Sequence, residues 1–491
     1  MSLAQHLAQV VAIDRSAPAI EFARRWHTWG EVGDRARELA AAFDAAGLPE
    51  GAPIGLVLRN DPALVSAVLA VLTTRRCIVT LSPHAGSELL ARELEQLALP
   101  VIVGAPEDVD RVGVRGAEVL SIDIETGIHG SAGVRAPSSS SRPGVAIEML
   151  TSGTTGRPKR VPLTFASLEQ SLLGAKHYEK DASAEPRLRS GVAIINAPLV
   201  HVGGIWRVLQ CLADGRAFAL LPRFDLVDWV DAVRRHEPKT VSLVPAALRM
   251  VMAANVDRHD LASIRAVISG TAPLAAEEAE QFEERYGIPV LTSYGATEFA
   301  GGVAGWNLED HRALRREKRG SVGRAHPGCQ LRVVDRETGA VLGQDEPGLL
   351  EVQSAQLGPH SGWVRTTDLA RIDADGFLYI LGRADAAIIR GGFKVHPDAV
   401  KAALEEHPDV AEAAVVGIPD ARLGHVPVAA VTLANPGAKL GEAELRAFAK
   451  SRLAAYEVPE RILVVDELPR TPSLKVSGPD VAALFAKPVS S

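Results

Sequence analysis

Cysteine is scarce in this chain of 491 residues, which carries three: Cys77, Cys211 and Cys329. An odd number of widely separated cysteines excludes a disulfide framework and, by spacing, a cysteine-based metal site. All three are expected to be buried free thiols. Positive charge is not in excess either: 53 basic against 60 acidic side chains leave a net charge of −7. With no basic block to follow a phosphate backbone, nucleic acid is not an expected partner. No apolar run approaches the roughly 20 residues of a membrane helix. The opening Met1-Ser-Leu-Ala-Gln-His6 lacks the charged and then apolar pattern of a secretory leader. No integral membrane segment is expected, and the expected compartment is the cytoplasm. There is no internal repeat. What the chain does have is 47% apolar content and a length that favours two or more domains over one growing core.

From about residue 30 to 300, short apolar runs alternate with helical periodicity. Pro53-Ile-Gly-Leu-Val-Leu58, Ala193-Ile-Ile195, Ala217-Phe-Ala-Leu-Leu221 and Ala266-Val-Ile268 read as buried parallel strands. Pro62 to Leu72 and Leu226 to Arg235 read as the helices between them. The fold class expected is therefore α/β, with a large layered N-terminal domain over residues 1–382. From about 320 to 382 the texture turns to short strands with Gly and Asp turns, a small β subdomain. Residues 383–491 read as strand, helix, two strands, helix and strand: a separate, small α+β domain.

The most chemically suggestive stretch follows the strand-like Val145-Ala-Ile-Glu-Met-Leu150. It is Thr151, Ser152, Gly153, Thr154, Thr155, Gly156, Arg157, Pro158 and Lys159. Glycines let successive backbone N–H groups point into one concavity, hydroxyls add donors, and the lysine adds mobile positive charge, which together suit phosphate. It is not the Walker pattern, because proline separates Gly156 from Lys159. For such a tract alone, an ordinary polar turn is the alternative.

Five further motifs follow in order: Tyr294-Gly-Ala-Thr-Glu298, Thr366-Thr-Asp368, Gly382-Arg-Ala-Asp385, Gly391-Gly-Phe-Lys394 and Pro469-Arg-Thr-Pro-Ser-Leu-Lys475. In this order and spacing the chain resembles the adenylate-forming superfamily of acyl-CoA synthetases, carrier-protein-loading adenylation domains and luciferases, and most of all the acyl-CoA synthetases. The resemblance implies a large N-terminal domain, a small mobile C-terminal lid, and a first half-reaction that joins a carboxylate to the α-phosphate of ATP. It also implies three cofactors or co-substrates: ATP, Mg²⁺ and coenzyme A.

Residue by residue, the resemblance implies that Thr151 to Gly156 wrap the β- and γ-phosphates with Lys159 nearby. Gly270, Thr271, Ala272, Tyr294 and Gly295 also belong to the ATP/AMP site, with Tyr294 stacked on adenine and Gly270 and Thr271 bordering the acyl pocket. Thr297 meets the α-phosphate and the acyl carboxylate, and Glu298 holds the metal. Asp368 and Arg383 take the ribose, Asp385 is the hinge, and Lys475 reaches carboxylate and α-phosphate. Gly391, Gly392 and Phe393 line the CoA channel. His201 sits near the carboxylate, in an acyl pocket formed with Val202, Gly203, Trp206, Ser269, Gly295, Phe299, Ala300 and Gly301. Those small and apolar residues suit an aromatic or medium-length hydrophobic acid, and Arg207 could pair with a second carboxylate. Two positions depart from the family pattern: Thr367 and Leu474 stand where glycine is usual. The expected partners are the acid and CoA, the expected assembly a monomer or homodimer. The alternatives are a stand-alone enzyme that loads a carrier protein, or a nucleotide-binding paralogue without turnover.

Overall fold

The computed structural model describes residues 1–83, 87–97, 99–110, 117–130, 141–151, 159–176, 186–357, 362–384, 388–390, 393–420, 423–435, 440–453, 455–472 and 474–486. They form two compact units. The first is Met1–Gln330 with Gln353–Gly362, and the second is Leu331–Val352 with Trp363–Ser491.

The first unit holds three sheets. In the largest, Glu118–Asp123, Val101–Gly104, Pro53–Val57, Cys77–Leu81 and Val145–Thr151 run parallel in that spatial order, flanked by antiparallel edge strands Gly127–His129 and Lys159–Thr164. Pro53–Val57 and Cys77–Leu81 are buried at every position, as continuous apolar strands covered on both faces must be. The Pro62–Thr73 helix between them is buried from Pro62 to Leu72, so it is apolar all round rather than on one stripe. Asp61 caps it by accepting from the Ala63 N–H, and Pro62 occupies the first turn where no N–H is needed.

A second sheet sets Thr240–Ser242, Ala266–Ser269 and Val290–Ala296 in parallel, then adds Gly301–Gly305 and Arg324–Ala325 antiparallel. A third brings Arg189–Ile195 and Arg216–Leu220 beside the N-terminal strands Pro18–Phe22 and Arg25–Thr28.

In the second unit, four antiparallel strands, Cys329–Val334, Gly348–Ser354, Val364–Ile372 and Leu378–Arg383, form one sheet, whose first and last few residues at the chain crossings count with the first unit. A further sheet orders Phe393–Val395, Ile388–Arg390, Gly424–Leu433 and Val410–Asp420, with Ile462–Val464 paired parallel to Gly424–Leu433. The sheet expected to belong with residues 1–382 thus groups with the C-terminal residues. Its packing explains why: Ala384 shares an apolar cluster with Val334, Leu349 and Leu369, and a Cβ at Gly382 would lie 2.7 Å from the Asp398 carboxylate.

Cys77 and Cys211 are buried as expected, and burial pushes their thiols up to about 12 and about 11. Cys329 is not: it is half-buried, with Sγ 3.3 Å from Ser354 Oγ. No helix of the described residues is long and apolar enough to cross a membrane.

Candidate active site

In the first unit the site grows from the carboxyl ends of parallel strands, where open α/β sheets bind ligands. Ala266–Ser269 and Val290–Ala296 lie side by side, Ser269 opposite Thr292. Gly270 follows, and a Cβ there would stand 2.7 Å from Ser293 Oγ, so only glycine lets this segment press against its neighbour. That contact sets Gly270, Thr271 and Ala272 beside Ser293 and Tyr294. Thr271 adopts φ +69°, a left-handed conformation that a β-branched residue seldom takes. Strain of this kind costs on the order of 1–3 kcal/mol and gathers where geometry serves a ligand.

Val290–Ala296 turns into Gly301–Gly305 through a short 3-10 turn, Thr297–Phe299, and Ala300 at φ +55°. Phe299 anchors the turn in the core at 2% exposure, leaving Thr297 half-buried and Glu298 exposed. Neither the Thr297 hydroxyl nor the Glu298 carboxylate has a hydrogen-bond or ion-pair partner among the described residues. Gly295 sits at a bulge in the same hairpin, between Tyr294 opposite Ala304 and Ala296 opposite Gly301.

Across from this turn the Val202–Asp214 helix begins at His201, whose side chain is exposed. A Cβ at Gly203 would be 3.8 Å from Thr271 Cγ2, within van der Waals contact, so the start of the helix packs next to the strained threonine. Trp206 donates its indole N–H to Ser171 Oγ at 2.7 Å, and Ser171 donates in turn to the Ala300 carbonyl at 2.9 Å. The same indole nitrogen lies 3.3 Å from where a Cβ on Gly301 would be. Trp206 therefore closes over Gly301. Gly203 and Trp206 are thus brought beside Thr271, Ala300 and Gly301. Ser269 is more deeply set: it is 1% exposed, and its hydroxyl finds no hydrogen-bond partner among the described residues.

Thr151 and Lys159 are opposite one another as the terminal register pair of Val145–Thr151 and Lys159–Thr164, and Lys159 is exposed. Ser152, Gly153, Thr154, Thr155 and Gly156 lie outside the described residues, as do Asp385, Gly391 and Gly392. Phe393 is described by its backbone alone, paired opposite Arg390.

In the second unit Asp368 and Arg383 are direct cross-strand partners, Oδ1 to Nε 3.9 Å. Thr367, where glycine is usual in the family, has a use here: its hydroxyl accepts from the Arg383 guanidinium. Lys475 sits on a tight turn. Thr471 N–H donates to the Lys475 carbonyl at 2.7 Å, Leu474 N–H to the Thr471 carbonyl at 2.8 Å, and Lys475 N–H to Thr471 Oγ1 at 3.2 Å. Arg470 braces the turn by donating to the Leu474 carbonyl at 3.0 Å and pairing with the buried Glu412 carboxylate. Leu474, at φ +62°, holds the conformation that glycine would take without strain. The Lys475 side chain keeps solvent access, yet partial desolvation of its ammonium pulls its pKa below the ordinary lysine value.

A family model described as AMP-binding enzyme matches residues 7–359, and one described as AMP-binding enzyme C-terminal domain matches residues 399–475. The chain belongs to the AMP-binding enzyme family. Among curated members it is 30% identical to 4-coumarate–CoA ligase 5 of Oryza sativa subsp. japonica, over 94% of this chain and 89% of that one. It is 28% identical to the 2-succinylbenzoate–CoA ligase of Enterococcus faecalis, over 94% of both. Among solved structures, ATP-bound MatB from Rhodopseudomonas palustris aligns with a TM-score of 0.83 at 25% identity, covering 99% of each chain. The Bacillus subtilis o-succinylbenzoate CoA synthetase MenE, in complex with ATP and magnesium ion, aligns with a TM-score of 0.78 at 25% identity, over 97% of this chain and 98% of that one. These relatives are acid–CoA ligases by name where their names state an activity.

Two residues near this edge of the sheet carry no motif and are visible only in the fold. Ser171 links Trp206 to Ala300 from a separate helix. His326 packs against Gly305 and Gly302, its ring atoms 2.8 and 3.4 Å from where their Cβ atoms would be, and burial pulls its pKa below the ordinary histidine value.

Proposed function

We propose that this protein is an ATP-dependent carboxylic acid:CoA ligase that works through an acyl-adenylate and takes an acid with an aromatic or medium-length apolar body. One observation carries the reading. Gly270–Ala272, the Tyr294–Glu298 turn and the start of the Val202–Asp214 helix surround one edge of the sheet, with Trp206 closing the far side over Gly301. Donors for phosphate and an apolar pocket for an acid thus stand side by side. The named activities of the curated relatives support the same reading.

In the first half-reaction a carboxylate oxygen bonds to the α-phosphorus of ATP while the bond to the bridging oxygen breaks and pyrophosphate leaves. Two anions must approach, so oriented donors and positive charge carry most of the catalysis. Thr297 donates toward the α-phosphate and carboxylate, and Lys475 offsets the charge that builds between them. Asp368 and Arg383 hold the ribose, and Tyr294 holds the adenine. Glu298, exposed and unpartnered among the described residues, fits a hard divalent cation, which takes carboxylate oxygen and keeps much of its own water. Bound magnesium supplies positive charge against the phosphate oxygens. In the second half-reaction the CoA sulfur bonds to the acyl carbon and AMP leaves. Gly391, Gly392 and Phe393 are assigned to the CoA channel, and Asp385 to the hinge on which the lid turns between the two steps.

Incubation with ATP, Mg²⁺, a carboxylic acid panel and CoA, followed by mass spectrometry, tests the proposal. Paired formation of acyl-CoA and AMP is the expected result. Adenylate formed without transfer to CoA, but transferred to a phosphopantetheinylated carrier protein, overturns CoA as acceptor.

A further inference from the structure

Arg160 stands next to Lys159 but on the other side of the sheet. It is paired opposite Leu150 on the antiparallel strands Val145–Thr151 and Lys159–Thr164, one step inside the terminal pair of Thr151 and Lys159. Successive side chains of a strand take opposite faces, so Lys159 and Arg160 leave the sheet on different sides. Lys159 is exposed, whereas the Arg160 side chain keeps only 13% of its surface.

That side chain reaches across the sheet. The parallel register between Cys77–Leu81 and Val145–Thr151 runs Ile78 opposite Ile147 and Val79 opposite Glu148. Just where it ends, the Arg160 guanidinium donates through Nη1 to the Glu148 carbonyl at 3.4 Å and through Nη2 to the Thr80 carbonyl at 3.2 Å. Thr80 Oγ1 donates to the same Glu148 carbonyl at 3.4 Å. Nη2 also pairs with Glu93 of the Ser87–Leu97 helix, a carboxylate only 16% exposed. One arginine thus ties the edge strand that begins at Lys159 to two inner strands and a helix, a task for which the planar, many-donor guanidinium is suited and an ammonium is not.

Glu93 neutralises Arg160, and Lys159 occupies the opposite face, so Arg160 is not itself a phosphate ligand. Nor does a buried ion pair add much stability, because desolvation offsets the attraction. What the fork fixes is geometry. Lys159–Thr164 has a strand neighbour on one side only among the described residues, and donors assist phosphate chemistry when they are held in place before the ligand arrives.

Resting on the ligase reading, which gives Thr151 and Lys159 to the β- and γ-phosphates, we infer that Arg160 is a positioning residue for the triphosphate. It holds the backbone of the Thr151 and Lys159 pair from the opposite face of the sheet, so affinity for ATP depends on it and affinity for AMP does not.

Titration calorimetry with magnesium–ATP and with AMP tests this, beside acid-dependent pyrophosphate release. Arg160→Met is expected to weaken ATP by about 10-fold or more and AMP by less than about 2-fold, with KM for ATP rising in step and kcat changing less. Arg160→Lys keeps the charge beside Glu93 but not the fork, and should fall between. Should Arg160→Met fail to fold by circular dichroism, Arg160→Lys and the double variant Arg160→Met with Glu93→Leu, which strands no charge, decide. Unchanged ATP affinity, or equal weakening of ATP and AMP, overturns the role of Arg160. The expected ATP-against-AMP pattern without acid-dependent pyrophosphate release from wild type supports Arg160 and overturns the ligase reading alone.

Discussion

Asp368 and Arg383 face each other across two antiparallel strands with Oδ1 and Nε 3.9 Å apart, while the arginine's Nη2 donates to the Thr367 hydroxyl. At that separation the pair is an ion pair without a short hydrogen bond. Arg383 is also well exposed, at 43% of its side-chain surface, so the pair adds little to stability. On the proposed function, the pair pre-arranges a carboxylate and a guanidinium for a polyhydroxylated, phosphorylated ligand. Asp368→Ala is expected to weaken ATP binding by about 10- to 100-fold, the worth of hydrogen bonds to a charged group. Titration calorimetry reads the loss, and a melting temperature within a few degrees of wild type shows that the fold is intact.

Leu474 offers an unusual substitution. At φ +62° it pays the left-handed cost that glycine escapes, about 1–2 kcal/mol. Replacing leucine by glycine in a loop ordinarily destabilises through the entropy of the unfolded chain. Here the two effects oppose each other, so Leu474→Gly should leave the melting temperature unchanged or slightly raised. A drop of several degrees would show that the Leu474 side chain packs strongly enough to outweigh the strain.

The chain from Trp206 to Ser171 to the Ala300 carbonyl fixes the far wall of the proposed acyl pocket. Trp206→Ala removes that wall and is expected to shift the preferred acid toward longer or bulkier members in a pyrophosphate-release series. Ser171→Ala keeps the wall but strands the indole N–H, at a cost of about 1–3 kcal/mol. It should lower the melting temperature with a smaller change in acid preference.

His326 makes acid stability testable. Burial lowers its folded pKa beneath the ordinary histidine value near 6.5, so the unfolded chain binds the proton first. Stability from this group is complete above pH 6.5 and is lost as pH falls below it toward the depressed folded value. The melting temperature should decline between about pH 7 and pH 5. His326→Gln should flatten part of that decline, and an unchanged slope would contradict the assignment.

Much of the architecture was legible in the residues themselves. Buried parallel strands such as Pro53–Val57 and Ala266–Ser269 are continuous apolar runs, and helices between them show the helical period. The Leu3–Ala12 helix and the Pro18–Phe22 and Arg25–Thr28 strands were not anticipated, although the helix buries Leu3, Ala4, Leu7, Val10 and Val11 at helical spacing; the two strands are only five and four residues long. The grouping of the Leu331–Val352 sheet with the C-terminal residues depends on packing of Ala384 and Asp398, which no local pattern encodes. In the site, the motif residues announced themselves by spacing. Ser171 and His326 did not, since a solitary serine or histidine acquires meaning only from what folds against it.

The most direct test of the ligase account is acid-dependent pyrophosphate release from ATP and Mg²⁺, with and without CoA, in wild type and Lys475→Ala. The account predicts release that needs an acid, turns over catalytically when CoA is present, and falls by at least about 100-fold in Lys475→Ala, as loss of a charge-stabilising group at the reacting centre should. Transfer from chemically supplied acyl-adenylate to CoA should be largely spared in the same variant. Release that ignores the acid, or that Lys475→Ala leaves untouched, would contradict it.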